Sequence, residues 1–209
     1  MIATTLFIHV FFGILSLITG VIIIFLRKGT RWHNNVGWLY FFTMTGVFLS
    51  ATVVSLYKHN IFLLLIGFFS FYLVHTGIRY RFLREPGSVQ WWDKLTTVIY
   101  GLIYLVLILY AVYAFLKGAN GLGVVLSSFG LIGVLLWKND YFYILRNQRK
   151  FPEIWFNEHI GRMMGSFIAA VTAFAVNNIS FEPAYIVWIA PTVPGFLLMF
   201  YFSKKYIKT

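Results

Sequence analysis

The sequence predicts an all-α membrane protein: one domain, residues 1–209, folded as a bundle of seven transmembrane helices with the N-terminus outside and the C-terminus cytoplasmic. Three observations carry this reading. Hydrophobic residues make up 60% of the chain and charged residues 11%, too little charge to cover a water-soluble domain of this size. Apolar runs of about 20 residues, the length that crosses a bilayer as a helix, recur from one end to the other. Basic and aromatic residues cluster between those runs. Every span is read as helix, because an open sheet leaves backbone groups unpaired in lipid.

The first span, 3–26, carries His9, Gly13, Ser16 and Gly20 on one helical face. No basic residue precedes it, while Arg27, Lys28 and Arg31 follow, so it reads as a retained helix rather than a cleaved signal. The second, 37–57, follows the segment "RKGTRWHNNVGW". A short turn, "KHN", leads into the third, 61–78, where Tyr72, His75 and Arg79 share a stripe. The fourth and fifth, 95–116 and 121–137, flank a second short turn. The long connection 138–159 is expected to continue the fifth helix until Pro152 ends it, then to lay Trp155 and Phe156 against the headgroups. The sixth span is 160–178 and the seventh 184–202. No internal repeat supports an inverted-repeat architecture.

Orientation follows from charge. The loops after the first, third and fifth spans carry Arg27, Lys28, Arg31, Arg79, Arg81, Arg84, Lys94, Lys138, Arg146, Arg149 and Lys150, and the tail adds Lys204, Lys205 and Lys208. The alternate loops hold only Lys58 and Lys117. Positive loops stay inside, and Trp32, Trp38, Trp91, Trp92, Trp137 and Trp155 fall at the same boundary as an interfacial belt. The net charge of +11 is therefore assigned to topology and anionic headgroups, with the bilayer as partner and nucleic acid excluded. The expected location is a bacterial inner membrane, multi-pass. Protein partners and homo-oligomers are left open.

The chain has no cysteine, which excludes disulfides and thiolate chemistry. It shows no phosphate loop, no HExxH or HxxxH pair and no nucleophile elbow. Asp93, Asp140, Glu153 and Glu158 are placed on the cytoplasmic side and none well inside a span, which argues against a buried carboxylate relay.

Ionisable residues within a membrane are functional by default. His59 lies in an external loop and is given no role. His33, His75 and His159 reach one cytoplasmic depth, within about two helical turns, when the spans are folded antiparallel. On the sixth span His159, Arg162, Met163, Ser166, Ala170, Ala173 and Asn177 form an inward stripe, beside a small-residue row of Gly165, Ala169 and Ala173. Two prosthetic groups suit these residues. A b-type haem takes two histidines, with Arg79 or Arg162 meeting its propionates. A zinc-like ion takes His33, His75 and His159 with an open position for water. His9 is a further cofactor-binding candidate. A polar plug of hydrogen-bonded side chains would use the same residues with no cofactor.

At "HVFFGILSLITG", "RKGTRWHNNVGWLYFFTM" and "NEHIGRMMGSFIAAVTAF" the chain resembles a family of bacterial polytopic membrane proteins known only as a domain of unknown function. The corresponding residues are His9; Gly29, His33 and Gly37; and His159, Arg162 and Met163. The resemblance implies no activity. A looser likeness to two-haem transmembrane cytochromes rests on helical histidines alone, and the outer half offers only His9 for a second haem. The leading expectation is a histidine-ligated redox or metal centre near the cytoplasmic face, haem before zinc. The alternatives are a small-solute transporter or channel along the same polar seam, and a non-catalytic scaffold or partner subunit. Whether the chain is an enzyme is left open.

Overall fold

The computed structural model describes residues 2–83, 87–147 and 154–206, all helix and turn. The helices are α1 (Ile2–Phe25), α2 (Arg31–Tyr57), α3 (Ile61–Tyr80), α4 (Trp91–Leu116), α5 (Asn120–Asp140), α6 (Ile154–Asn178), α7 (Tyr185–Ile189) and α8 (Thr192–Tyr206). A π-helical turn, Tyr141–Leu145, extends α5 directly. Counting α5 with that turn, and α7 with α8, seven segments among the described residues are long and apolar enough to cross a membrane.

Several helices begin or end away from the hydropathy limits, each for a local reason. α2 starts at Arg31 rather than 37, because the Thr30 hydroxyl accepts the His33 amide as an N-cap. α4 starts at Trp91 rather than 95, where Gln90 and Asp93 satisfy each other's backbone in a capping box. α5 with its π turn runs to Leu145, eight residues beyond 137, across Lys138 and Asp140. Pro152, expected to end that helix, lies outside the described residues. Trp155 and Phe156, expected on the headgroups, belong to the first turn of α6. The last span breaks at Ala190–Pro191, since proline offers no amide and disfavours helix in the residue before it.

α3 is the hub: it packs on α2 and α6 on one side and on α4 and α5 on the other. Two apolar clusters result. Leu65, Phe69, Tyr72 and Leu73 of α3 meet Tyr104 and Leu107 of α4 and Leu126 and Phe129 of α5. Across α3, Val74 meets Tyr40 and Met44 of α2 with Met163 and Phe167 of α6. The outer faces stay apolar and exposed, as at Phe7, Phe11, Leu102, Leu109 and Leu135, which fits a bundle surrounded by lipid.

The small-residue contact between α3 and α6 lies on α3. A methyl on Gly77 would meet Met163 Sδ at 3.0 Å and Arg162 Cβ at 3.2 Å, whereas one on Gly165 would reach Leu73 at an ordinary 3.4 Å. The expected inward stripe of α6 holds for its first half, with Arg162 and Ser166 buried, but Ala173 and Asn177 are exposed. Asn177 and Asn178 donate to the Ala173 and Phe174 carbonyls of their own helix, each at 2.7 Å. That return bond to the helix satisfies part of each amide without a partner helix.

Candidate functional site

At the basic end of the bundle, α3, α5 and α6 enclose a charge cluster. Arg162 and Asp140 are both 0% exposed. They pair through Nη2–Oδ1 at 2.7 Å and Nη1–Oδ2 at 3.1 Å. Arg162 Nε donates to Glu158 Oε2 at 2.9 Å, an intrahelical pair one turn apart. Nη1 also reaches Thr76 Oγ1 at 2.9 Å, and Nη2 the Leu136 carbonyl at 3.1 Å. A guanidinium has five N–H donors in a fixed fork, and these contacts use them all.

Asp140 is equally saturated. Besides the two guanidinium bonds it accepts the Tyr80 hydroxyl at 2.6 Å and the Tyr72 hydroxyl in a short hydrogen bond. The Arg162 guanidinium carbon lies 4.6 Å from the Tyr80 ring centre and 5.2 Å from that of Tyr72, so both rings lend it a negative face. Glu158, with its side chain 11% exposed, forms the rim and accepts Asn139 Nδ2 at 2.6 Å. One cation thus faces two carboxylates, and the cluster carries one excess negative charge. Such pairs repay their desolvation only when every lone pair and proton is used, which is the arrangement found.

A second pair lies one turn further along α3. Arg79 binds Asp93 of α4 through Nε at 2.5 Å and Nη2 at 2.7 Å, and donates to the Ser88 carbonyl at 2.9 Å. Between the two pairs is a cavity of about 10 Å³, room for one water, lined by His75, Thr76, Arg79, Tyr80, Asp93 and Thr97 among others. Thr76 and Tyr80 therefore touch both the cavity and the buried cluster.

The predicted site residues divide around α3. His75 faces the cavity toward α4, its ring stacked on Phe71 at 5.9 Å. His33 is half-buried in the first turn of α2 rather than in a loop, within electrostatic range of Lys28, His159 and Arg81. His159 binds the Gly77 carbonyl through Nδ1 at 2.7 Å. The structure thus brings His33 near His159 and sends His75 to the other side of the hub. Among the described residues no three histidine, aspartate or glutamate side chains gather as a metal set. His9 stays on α1, with Nδ1 at 3.1 Å from Ser50 Oγ and 3.3 Å from the Val47 carbonyl. Arg162 and Arg79, the two arginines assigned to haem propionates, are both spent on carboxylates.

Asp140 corrects the sequence reading most sharply, because a carboxylate placed outside the spans is fully enclosed by them. Lys138 and Asp140 lower the hydropathy enough to truncate the span, although the helix continues. The i, i+4 spacing of Glu158 and Arg162 is a signal that could have found this pair, whereas their partners on α3 and α5 required the lateral order of the helices.

No known protein family, curated protein or solved structure matches the chain. Its function must be read from the cluster itself.

Proposed function

We propose that the protein is a membrane transporter that couples movement of a small solute to protonation of the Arg162–Asp140–Glu158 cluster. The observation that carries this is the complete burial of Asp140 against Arg162 inside an apolar bundle, with Glu158 alone on the rim. Intramembrane ionisable groups of this kind mark ion and substrate pathways, because a packed apolar core would cost less. Protonation of Glu158 would remove one of the two negative charges facing Arg162, giving the cluster two states that differ by one charge. The water-sized cavity supplies a second approach, from Arg79–Asp93 past His75 to Thr76 and Tyr80. With the basic end in the cytoplasm, the cluster opens to the cytoplasmic side.

The test is charge movement on a solid-supported membrane after a pH jump. Reconstituted wild type should give a transient current that Glu158→Gln abolishes. A folded, uniformly oriented preparation that gives no current in either pH direction would refute the proposal. A C-terminal reporter active only outside the cytoplasm would reverse the orientation.

A second reading retains a histidine-held haem or metal ion, at His33 and His159 rather than at all three histidines. Its support is the carbonyl-anchored Nδ1 of His159, the arrangement that orients a ligating imidazole, beside a His33 Nδ1 that is buried without a hydrogen-bond partner among the described residues. An absorption spectrum and metal analysis of the purified protein decide it: a Soret band lost in His159→Ala supports haem, and a colourless, metal-free preparation refutes both groups.

A further inference from the structure

At the opposite end of the bundle a cleft of about 350 Å³ opens between the end of α6, the connection 179–184 and α7. That volume is within the usual size of small-molecule sites, about 300–1,000 Å³. Its chemistry is one-signed. Glu182 lines it and has no ion-pair partner among the described residues. It is also the only acidic residue in the three short connections at this end, 58–60, 117–119 and 179–184. Among the described residues no basic side chain lines the cleft.

Two further features add negative potential from different sources. Val176 and Ile179 border the cleft, so it sits at the C-terminus of the 25-residue α6, the negative end of the helix dipole. Phe181 and Trp188 present aromatic rings to it. Trp188 lies edge-on to Phe62 at 5.1 Å and to Phe129 at 6.2 Å, whereas Phe181 is exposed. A carboxylate, a helix C-terminus and aromatic faces together favour a cation, and apolar walls favour one with a hydrocarbon body. A lone carboxylate without other oxygen or nitrogen side-chain ligands of its kind disfavours a divalent metal.

We propose that this cleft binds an organic ammonium ion carrying an apolar group. The chemistry is shared by a free amine or quaternary ammonium solute and by the headgroup of an amine-bearing lipid. The proposal is independent of charge movement at the Arg162 cluster, which lies at the other end of α6.

The test is equilibrium binding of radiolabelled benzyltrimethylammonium to the full chain in phosphatidylglycerol nanodiscs. Removing the Coulomb attraction between carboxylate and ammonium, Glu182→Gln should weaken binding about tenfold, and Glu182→Asp should recover part of it. Phe181→Ala should weaken it about 2–5-fold, the range of one exposed cation–π contact. Neopentylbenzene, the uncharged isostere, should not compete. Both substituted residues are exposed, so a monodisperse gel-filtration profile confirms that loss of binding is not loss of fold. Repeating the titration in discs containing phosphatidylethanolamine separates the sources: competition by that lipid assigns the site to a headgroup, and an unchanged affinity assigns it to a soluble amine. Equal binding by wild type and Glu182→Gln, or equal competition by neopentylbenzene, would overturn the proposal.

Discussion

Replacing Asp140 by asparagine isolates what the buried cluster contributes to stability. Four donors converge on the carboxylate: two guanidinium nitrogens of Arg162 and the hydroxyls of Tyr72 and Tyr80. An asparagine offers one acceptor oxygen with two lone pairs and turns its own two N–H donors toward the remaining partners. At least two donors lose their acceptor, and Arg162 keeps its charge with only Glu158 opposite. Each orphaned buried group costs about 1–3 kcal/mol, which matches the ~3–5 kcal/mol typical of removing one member of a buried ion pair. The expected loss is therefore about 3 kcal/mol or more, roughly a hundredfold in the unfolding equilibrium. The assay is unfolding in mixed detergent–SDS micelles followed by tryptophan fluorescence. The paired change Arg162→Met with Asp140→Leu removes both charges and should cost less than the sum of its parts, with a coupling of about 2 kcal/mol or more. Interhelical hydrogen bonds in membranes average only about 0.6 kcal/mol and reach about 1.7. A single-mutant cost below about 1 kcal/mol with additive pairs would place this network among ordinary hydrogen bonds and refute the reasoning.

Tyr104 Oη is buried with no hydrogen-bond partner among the described residues, so Tyr104→Phe should raise stability by up to about 1 kcal/mol in the same assay; a clear loss would reveal a partner. Gly77→Ala should cost about 1–3 kcal/mol through its contact with Met163 and Arg162, whereas Gly37→Ala, with nothing within 4 Å of its added methyl, should be neutral or stabilising; equal effects at both would remove the close α3–α6 approach. Lys28, at the end of α1, is held below its ordinary value of 10.5 by burial first and by Lys205 second. Its charged form is therefore a cost to the fold at neutral pH, a cost that fades as pH rises from its folded value toward 10.5. NMR of methylated lysines should show Lys205→Ala moving that midpoint upward, and a wild-type midpoint at or above 10.5 would contradict the burial argument.

Hydropathy was enough to find the seven helical segments long and apolar enough to cross a membrane, because bilayer thickness imposes a length that apolar runs display directly. Their ends were less legible. The N-cap at Thr30 and the capping box at Gln90 start α2 and α4 inside polar sequence that a hydropathy reading leaves outside. The site was half legible. Arg162 and Tyr72 were placed correctly on inward faces by helical periodicity. Asp140 was not: α5 was expected to continue past Lys138, but the burial of Asp140 depends on α3 and α6 closing over it. Depth along a helix can be counted from sequence. Which side of α3 a histidine faces cannot, so His75 was grouped with His33 and His159 although the hub separates them.

The π turn directly after Asp140 holds one residue more than an α-helical turn needs. That surplus is a phase marker: every residue before it keeps the rotation set by α5, and every residue after it is offset. If the surplus moved one turn toward the N-terminus, Asp140 would pass from one side of the marker to the other and swing by about 100° around the helix axis. Its carboxylate would leave Arg162, Tyr72 and Tyr80 together while the rest of α5 stayed docked on α4. The acid at the centre of the cluster thus sits at the seam between two helical phases, and its direction around the helix axis is set by where that surplus residue falls.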